Sequence, residues 1–464
     1  MQARLSKYWS DIHASYWFIP TLMSFAAVVL AIALAALDSA LGADWASPDS
    51  WLFNSRPEGA RALLAAIAGS MITVAGVTFS VTISAVAYAT SQFGPHLLTH
   101  FMQDRGNQIT LGTFIATFIY CLLVLRAVRN AEALPTGSDA ETALSTAFVP
   151  QLAILGALGL ALASVAVLIY FIHHVPATIH ISNVAARLGL ELQEQIERLH
   201  PLHSEETSAA LPLSQEQLQA RYQAATPIRS EHNGYLQHLN YAGLLTIAEQ
   251  HDLLLFVARQ PGDFIVERQP LLYAWPALKS EHGVREHIHD CFAFGLQRTQ
   301  AQDFMFLIQE LVEITVRALS PGINDPFTAI NCMNWLAPSL AVLARRPPRS
   351  ACHYDTQGQP RVLLSERTFQ TVATTVFDSL RPYVKRDRSA ALHLLRIMAE
   401  LAPDAIQPGA REALAQHAQA LGDGCQEALD QIDDREAVGQ YCAEVIQAIR
   451  DPLMQPRWNK PHVL

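Results

Sequence analysis

Charge is what this chain has least of. Asp, Glu, Lys and Arg make up 16% of 464 residues while hydrophobic types make up 50%, against a charged share of about 25% in soluble domains. The few charges sum to a formal -10, and no basic cluster supplies the phosphate-neutralising surface that nucleic acid requires, so nucleic acid is excluded as a partner. Cysteine is also scarce. Cys121, Cys291, Cys332, Cys352, Cys425 and Cys442 form no C-x-x-C pair and no zinc-type spacing, which suits thiols kept reduced and argues against a disulfide framework or a metal site. The phosphate-loop, dinucleotide, serine-hydrolase and zinc-protease signatures are missing as well, so no enzyme and no cofactor is expected.

What the chain does have is long uncharged runs, all in its first third. Apolar segments at about 18–40, 62–95, 106–128 and 147–175 each meet the roughly 20-residue requirement for a membrane span. The first is too long for a signal-peptide core and is taken as a retained span. Tyr16, Trp17, Trp45 and Trp51 supply interfacial rings around it. Arginine and lysine are evenly divided between the two sides, so the positive-inside rule sets no orientation. The thiols and the long chain after the fourth run place both termini in the cytoplasm.

Beyond residue 175 the composition becomes that of a globular protein. Residues 176–227 are expected to form a stalk helix, with Val184, Leu188, Leu192, Ile196 and Leu199 on one face, and then a loop. Residues 228–300 form a small strand-containing module, with GYLQHL and LLLFVAR as strands around a short helix. Residues 301–464 return to helical spacing. The fold class is therefore mainly α: a four-helix transmembrane domain, then a cytoplasmic α+β domain with a strand module and a helical C-terminal region.

Several stretches, TSQFGPHLL with QDRGNQITLGTF, YFIHHVPATIHISNVAARL, ARQPGDFIVERQPL, FGLQRTQAQDF and ALSPGINDPFTAINC, together resemble the bacterial predicted membrane proteins grouped as domain of unknown function 2254. The resemblance implies a four-span inner-membrane protein with a cytoplasmic C-terminal domain and supplies no activity. Where such sequences read QFSPRLL, this one has Gly94 and His96.

Candidate site residues fall into groups. In the second run, Gly69, Ser70, Thr73, Gly76, Ser80, Ser84 and Ser91 gather within roughly one third of a helical circumference. Small residues and hydroxyls in such a stripe serve either close helix packing or the lining of a polar path. Gly94 and Pro95 end that helix, as a plain stop or as a hinge. His96, His100, His173, His174 and His180 crowd the expected inner face, as interfacial polar groups or as a pH-sensing cluster. His282, Glu286 and His289 share a face of a segment that reads as solvated. Arg126 and Arg129 close the third run, snorkelling into headgroups or ringing an outer mouth. Asn324, Asp325, Thr328 and Asn331 occupy a helix-capping loop that also offers a ligand or subunit contact.

These features point to a homo-oligomeric channel for ions or small solutes in the lipid bilayer, with the second run lining the path and the cytoplasmic domain gating or assembling it. A membrane-anchored sensor or scaffold, its ligand unspecified, is the alternative, and a membrane enzyme the third reading.

Overall fold

The computed structural model describes residues 16–41, 57–94, 104–128, 148–199, 213–278, 282–346, 352–364 and 367–451. The chain divides into two compact units, one within Ser10–His180 and one containing Ile181–Leu464.

The first unit is a bundle of four apolar helices: α1 (Phe18–Leu41), α2 (Pro57–Phe93), α3 (Arg105–Ala127) and α4 (Gln151–Ile179). Helix α3 is the centre of the bundle, with 61% of its most apolar window buried against 17–28% in the other three. Its neighbours approach closely because small residues stand at the contacts. A Cβ on Gly112 would lie 2.6 Å from the Met23 sulfur, and one on Gly156 would strike the Tyr120 hydroxyl. Ala27, Ala31, Leu64, Ala68, Ala116, Tyr120, Ala153 and Ala157 complete this core. Helix α2 has 37 residues, so at a rise of about 1.5 Å per residue it is longer than a hydrocarbon layer of about 30 Å is thick.

Polar groups close the helix ends. Asp38, in the last turns of α1 and buried, accepts the N–H groups of Leu152 and Ala153, each at 3.0 Å, and so caps the start of α4. Arg61 donates to the Val128 carbonyl at the end of α3. This carboxylate lies inside the first apolar segment, which the helix carries to Leu41.

The second unit begins with α5 (Ile181–Leu199), whose Val184, Leu188, Leu192 and Ile196 are buried as the spacing predicts. The stretch expected to be a loop contains a short helix, α6 (Gln215–Gln223), held by a reciprocal capping box between Ser214 and Gln217. Strands and helices then alternate: β1 (Thr226–Arg229), β2 (Gly234–Leu239), α7 (Tyr241–Gln250), β3 (Leu254–Val257), β4 (Phe264–Ile265), β5 (Pro270–Trp275), α8 (His282–His289) and β6 (Phe292–Gly295). Helices α9 (Phe304–Ala318) and α10 (Pro326–Arg345), the hairpin β7 (Cys352–Tyr354) with β8 (Pro360–Leu364), and helices α11 (Phe369–Val384), α12 (Arg388–Leu401), α13 (Ala410–Ala428) and α14 (Ile432–Arg450) follow.

Two sheets result, in the orders β1-β5-β3-β8-β7 and β4-β2-β6. The late hairpin reaches back into the module through a parallel pairing, Leu255 opposite Val362. The strand module is therefore not confined to 228–300, a span from which β7 and β8 are missing.

Among the described residues five helices are long and apolar enough to cross a membrane, one more than the four expected. The fifth is α10. It packs against α5 so tightly that a Cβ on Gly189 would lie 2.8 Å from that of Trp335, and Ser339 donates to the Gly189 carbonyl.

Candidate functional site

The stripe on α2 is real as a stripe: Gly69, Ser70, Thr73, Gly76, Ser80, Ser84 and Ser91 are all exposed. It faces away from the bundle. The buried side of the same helix carries Ala60, Leu64, Ile67, Ala68, Ala75, Thr78, Thr82, Val86 and Ala89. A Cβ placed on Gly69 or Gly76 would meet nothing within 4 Å. The hydroxyls of Ser70, Thr73 and Ser91 turn back onto carbonyls of their own helix, a bond that lets a hydroxyl sit on an apolar helix without leaving its proton unsatisfied. Among the described residues, α1, α3 and α4 pack on the other side of α2 and leave the stripe uncovered.

A second hydroxyl-bearing face, unnoticed in the sequence, fills the bundle interior. Asn107, Gln108, Thr110, Thr113 and Thr117 of α3 are all buried, as is Ser164 of α4, whose hydroxyl meets that of Thr117 at 3.1 Å. Thr78 and Thr82 add two buried hydroxyls from α2. Each of these threonines bonds the carbonyl four residues back. The regular spacing in TLGTFIAT was the signal, hidden because threonine among apolar residues reads as β-branched filler.

Helix α2 ends at Phe93, and Gly94 follows with φ at 120°, its N–H still bonded to the Thr90 carbonyl. Only glycine takes that backbone readily. Pro95, His96, His100 and Arg129 lie outside the described residues. Arg126 is exposed in the last turn of α3.

Of the remaining histidines, the fold singles out His174. Its Nε2 lies 3.1 and 3.3 Å from the two carboxylate oxygens of Asp104, its Nδ1 lies 3.1 Å from the Tyr170 hydroxyl, and the two rings stack at 4.9 Å. A carboxylate only accepts, so Nε2 carries a proton. Asp104 also caps α3 through the Asn107 N–H. Gly106 makes this approach feasible, since a Cβ there would lie 2.6 Å from Nε2. The arrangement ties the end of α4 to the start of α3. His173 and His180 are exposed and stay apart from it. Sequence spacing pointed to the histidine but not to Asp104 or Tyr170, which lie 70 positions and one helical turn away.

In the second unit, Asp325 caps α10: it accepts the Thr328 N–H at 3.1 Å and the Thr328 hydroxyl at 2.5 Å. Asn324, exposed, takes a left-handed φ of 49° in the preceding turn. Asn331 lies a turn further on, with its side-chain nitrogen buried and unbonded. Capping accounts for Asp325 and Thr328. His289 faces Glu231 at 3.9 Å, and burial holds its pKa below the ordinary value. Among the described residues no group of three His, Cys, Asp or Glu side chains is placed to hold a metal ion.

Residues 13–400 match the model of a family described as predicted membrane protein, domain of unknown function 2254. The chain belongs to this family. The matched span takes in the whole helical bundle and ends inside α12. An uncharacterized protein of Mycobacterium tuberculosis is 27% identical over 417 residues, which cover 87% of this chain and 75% of that protein. An uncharacterized protein of Mycobacterium bovis matches with the same identity and coverage. No solved structure matches. Membership thus establishes a membrane protein with several apolar helices, and the family description names no activity.

Proposed function

We propose that this family member is a homo-oligomer of the bacterial inner membrane, non-enzymatic, in which α2 helices of neighbouring copies surround a path for ions or small solutes. One observation carries the reading: no described residue of the chain covers the stripe of α2, while the opposite face is buried. Small residues four apart, as in Gly69 and Thr73 or Gly76, Ser80 and Ser84, let helices of different copies come close. Hydroxyls along a shared axis would interact with water without the cost of a charge in lipid. The interior face of α3 is a poorer candidate for a path, because its hydroxyls are buried and bonded.

In this reading α1 to α4 cross the bilayer, which leaves both termini on the cytoplasmic side. Helix α10 owes its apolar composition to burial within the second unit, which assembles or gates the channel. The test is the mass of the purified protein together with the reactivity of single cysteines placed at residues 73, 80 and 84. A ring-sized assembly, water-soluble reagents reaching those positions, and ion flux in liposomes that stops with Ser80→Leu or Ser84→Leu are expected. Flux indifferent to those substitutions would refute the path.

A second reading shares the same observation. If the stripe is a closed seam between copies, the protein is a membrane-anchored sensor or scaffold. The stripe cysteines would then be protected in the assembly, and liposomes would show no flux.

A further inference from the structure

A cleft of ≈ 270 Å³ opens in the second unit, lined by Gly262 and Asp263 of the turn before β4, Arg298 of the loop after β6, Met305 and Gln309 of α9, and residues of α11 with Arg367 just before it. Two arginines dominate its chemistry. Both are gathered by one carboxylate, Asp303, whose side chain is 0% exposed. Arg367 donates to one Asp303 oxygen at 2.7 Å, to the Gln260 side chain at 2.7 Å and to the Pro261 carbonyl at 3.1 Å. Arg298 donates to the other Asp303 oxygen and to Gln309. Gly262 is drawn against this group with φ at 97°, and a Cβ there would collide with the Asp303 carboxylate.

The cluster is built. Two guanidinium groups face a single buried carboxylate. The other acid on the cleft, Asp263, turns one oxygen onto the Gln260 N–H at 3.0 Å. Asp303 stands at the N-cap of α9, but its carboxylate is taken by the arginines and makes no capping bond to that helix. Neither α9 nor α11 has an acidic residue in its first turn, and the first two turns of both helices line the cleft. Two guanidinium groups, 19% and 20% exposed, therefore share one concavity with Asp263 and the Thr371 and Thr375 side chains.

We propose that this cleft binds a small phosphate-bearing anion. Several oxygens and up to two negative charges match two arginines and the neighbouring hydroxyls better than a single carboxylate would. Met305 and Val372 give an apolar wall for a short carbon substituent, and the volume suits a compact phosphomonoester. The site stands whether or not α2 lines a path.

Equilibrium dialysis of the full-length detergent-solubilised protein against labelled inorganic phosphate tests it, with vesicles of phosphatidylglycerol or phosphatidylcholine as a second arm. Saturable binding at one site per chain is expected, weakened at least about tenfold by Arg298→Gln or Arg367→Gln. Because those arginines also hold Asp303, Thr375→Phe is the decisive variant: it fills the cleft without removing any ion-pair partner, and should abolish binding at an unchanged melting temperature. Selective binding to phosphatidylglycerol vesicles, lost in Thr375→Phe, would place the same phosphate chemistry on a lipid headgroup. Binding in neither arm, or binding that survives Thr375→Phe, would overturn the assignment.

Discussion

Two faces of one membrane bundle carry nearly the same residue types and meet opposite surroundings. The outer face of α2 presents Thr73, Ser80 and Ser84 to whatever lies outside the chain, whereas the inner faces of α3 and α4 bury Thr110, Thr113, Thr117 and Ser164 among other helices. Glycine divides the same way, with open space at Gly76 and the Met23 sulfur at Gly112. A small or hydroxylated residue on a membrane helix thus marks a close approach without saying whose. The partner is the same chain in one case, and in the other no described residue of the chain covers the stripe.

The sharpest way to break this comparison is one substitution made on both faces. Gly112→Ile should destabilise the solubilised protein by about 3 kcal/mol, the upper range for overpacking, since Met23 and the backbone of Pro20 stand in the way. Gly76→Ile should stay within about 0.5 kcal/mol in any measurement that reads the single chain, and should instead reduce the assembled mass. Equal melting temperatures for the two variants would mean that the faces do not differ.

Next in size is the cap between helices. Asp38→Ala removes the acceptor of two N–H groups at the start of α4 and should cost about 2 kcal/mol in thermal denaturation, while Arg126→Ala, on the exposed end of α3, should cost almost nothing.

Acidification sharpens the contrast between the two units. His238, His289, His393 and His417 of the second unit all have pKa values held below the ordinary 6.5, burial being the first cause in each. The unfolded chain therefore takes up protons first as pH falls. Stability is full above about 6.5 and declines through the window between that value and the lowered folded ones. Denaturant midpoints of the second unit should fall accordingly between neutral and acidic buffer.

The smallest expected effect is silence. Burial pushes the thiols of Cys291, Cys425 and Cys442 up to about 11 and that of Cys332 to about 12, and Cys121 and Cys352 are buried too. Native protein should leave maleimide unreacted at neutral pH and react at all six after denaturation. Cysteines introduced on the stripe would then report against a clean background.

Much of the architecture was legible because burial leaves a period in the sequence. The faces of α5 and α9, the strands GYLQHL and LLLFVAR, and the helix stop at Gly94 all appear where spacing and turn chemistry put them. Helix α6 was not legible, because it is polar on all sides and held by its cap. Nor was the β7–β8 hairpin, whose short strands join the sheet through a parallel pairing more than 100 residues away in sequence. The groups that hold the sites were hardest to see. Asp104 with His174, and Asp303 with Arg367, bond across 70 and 64 positions, so no local pattern couples them; Arg298 stands five residues before Asp303 in the same stretch, but nothing in that spacing marks a pair. The glycines at 106 and 262 stand where a Cβ would strike His174 and Asp303.

The bond from Asp38 to the start of α4 spans 114 positions and so imposes an order on synthesis. When α1 first enters the bilayer its carboxylate has no partner, because the two N–H groups it will bind have not been translated. The nascent first helix must keep that end in water or headgroups until the fourth arrives and seats it. Completion of the bundle is thereby felt at its beginning, and a chain cut short after α3 would leave Asp38 without the two N–H donors that hold it in the finished protein.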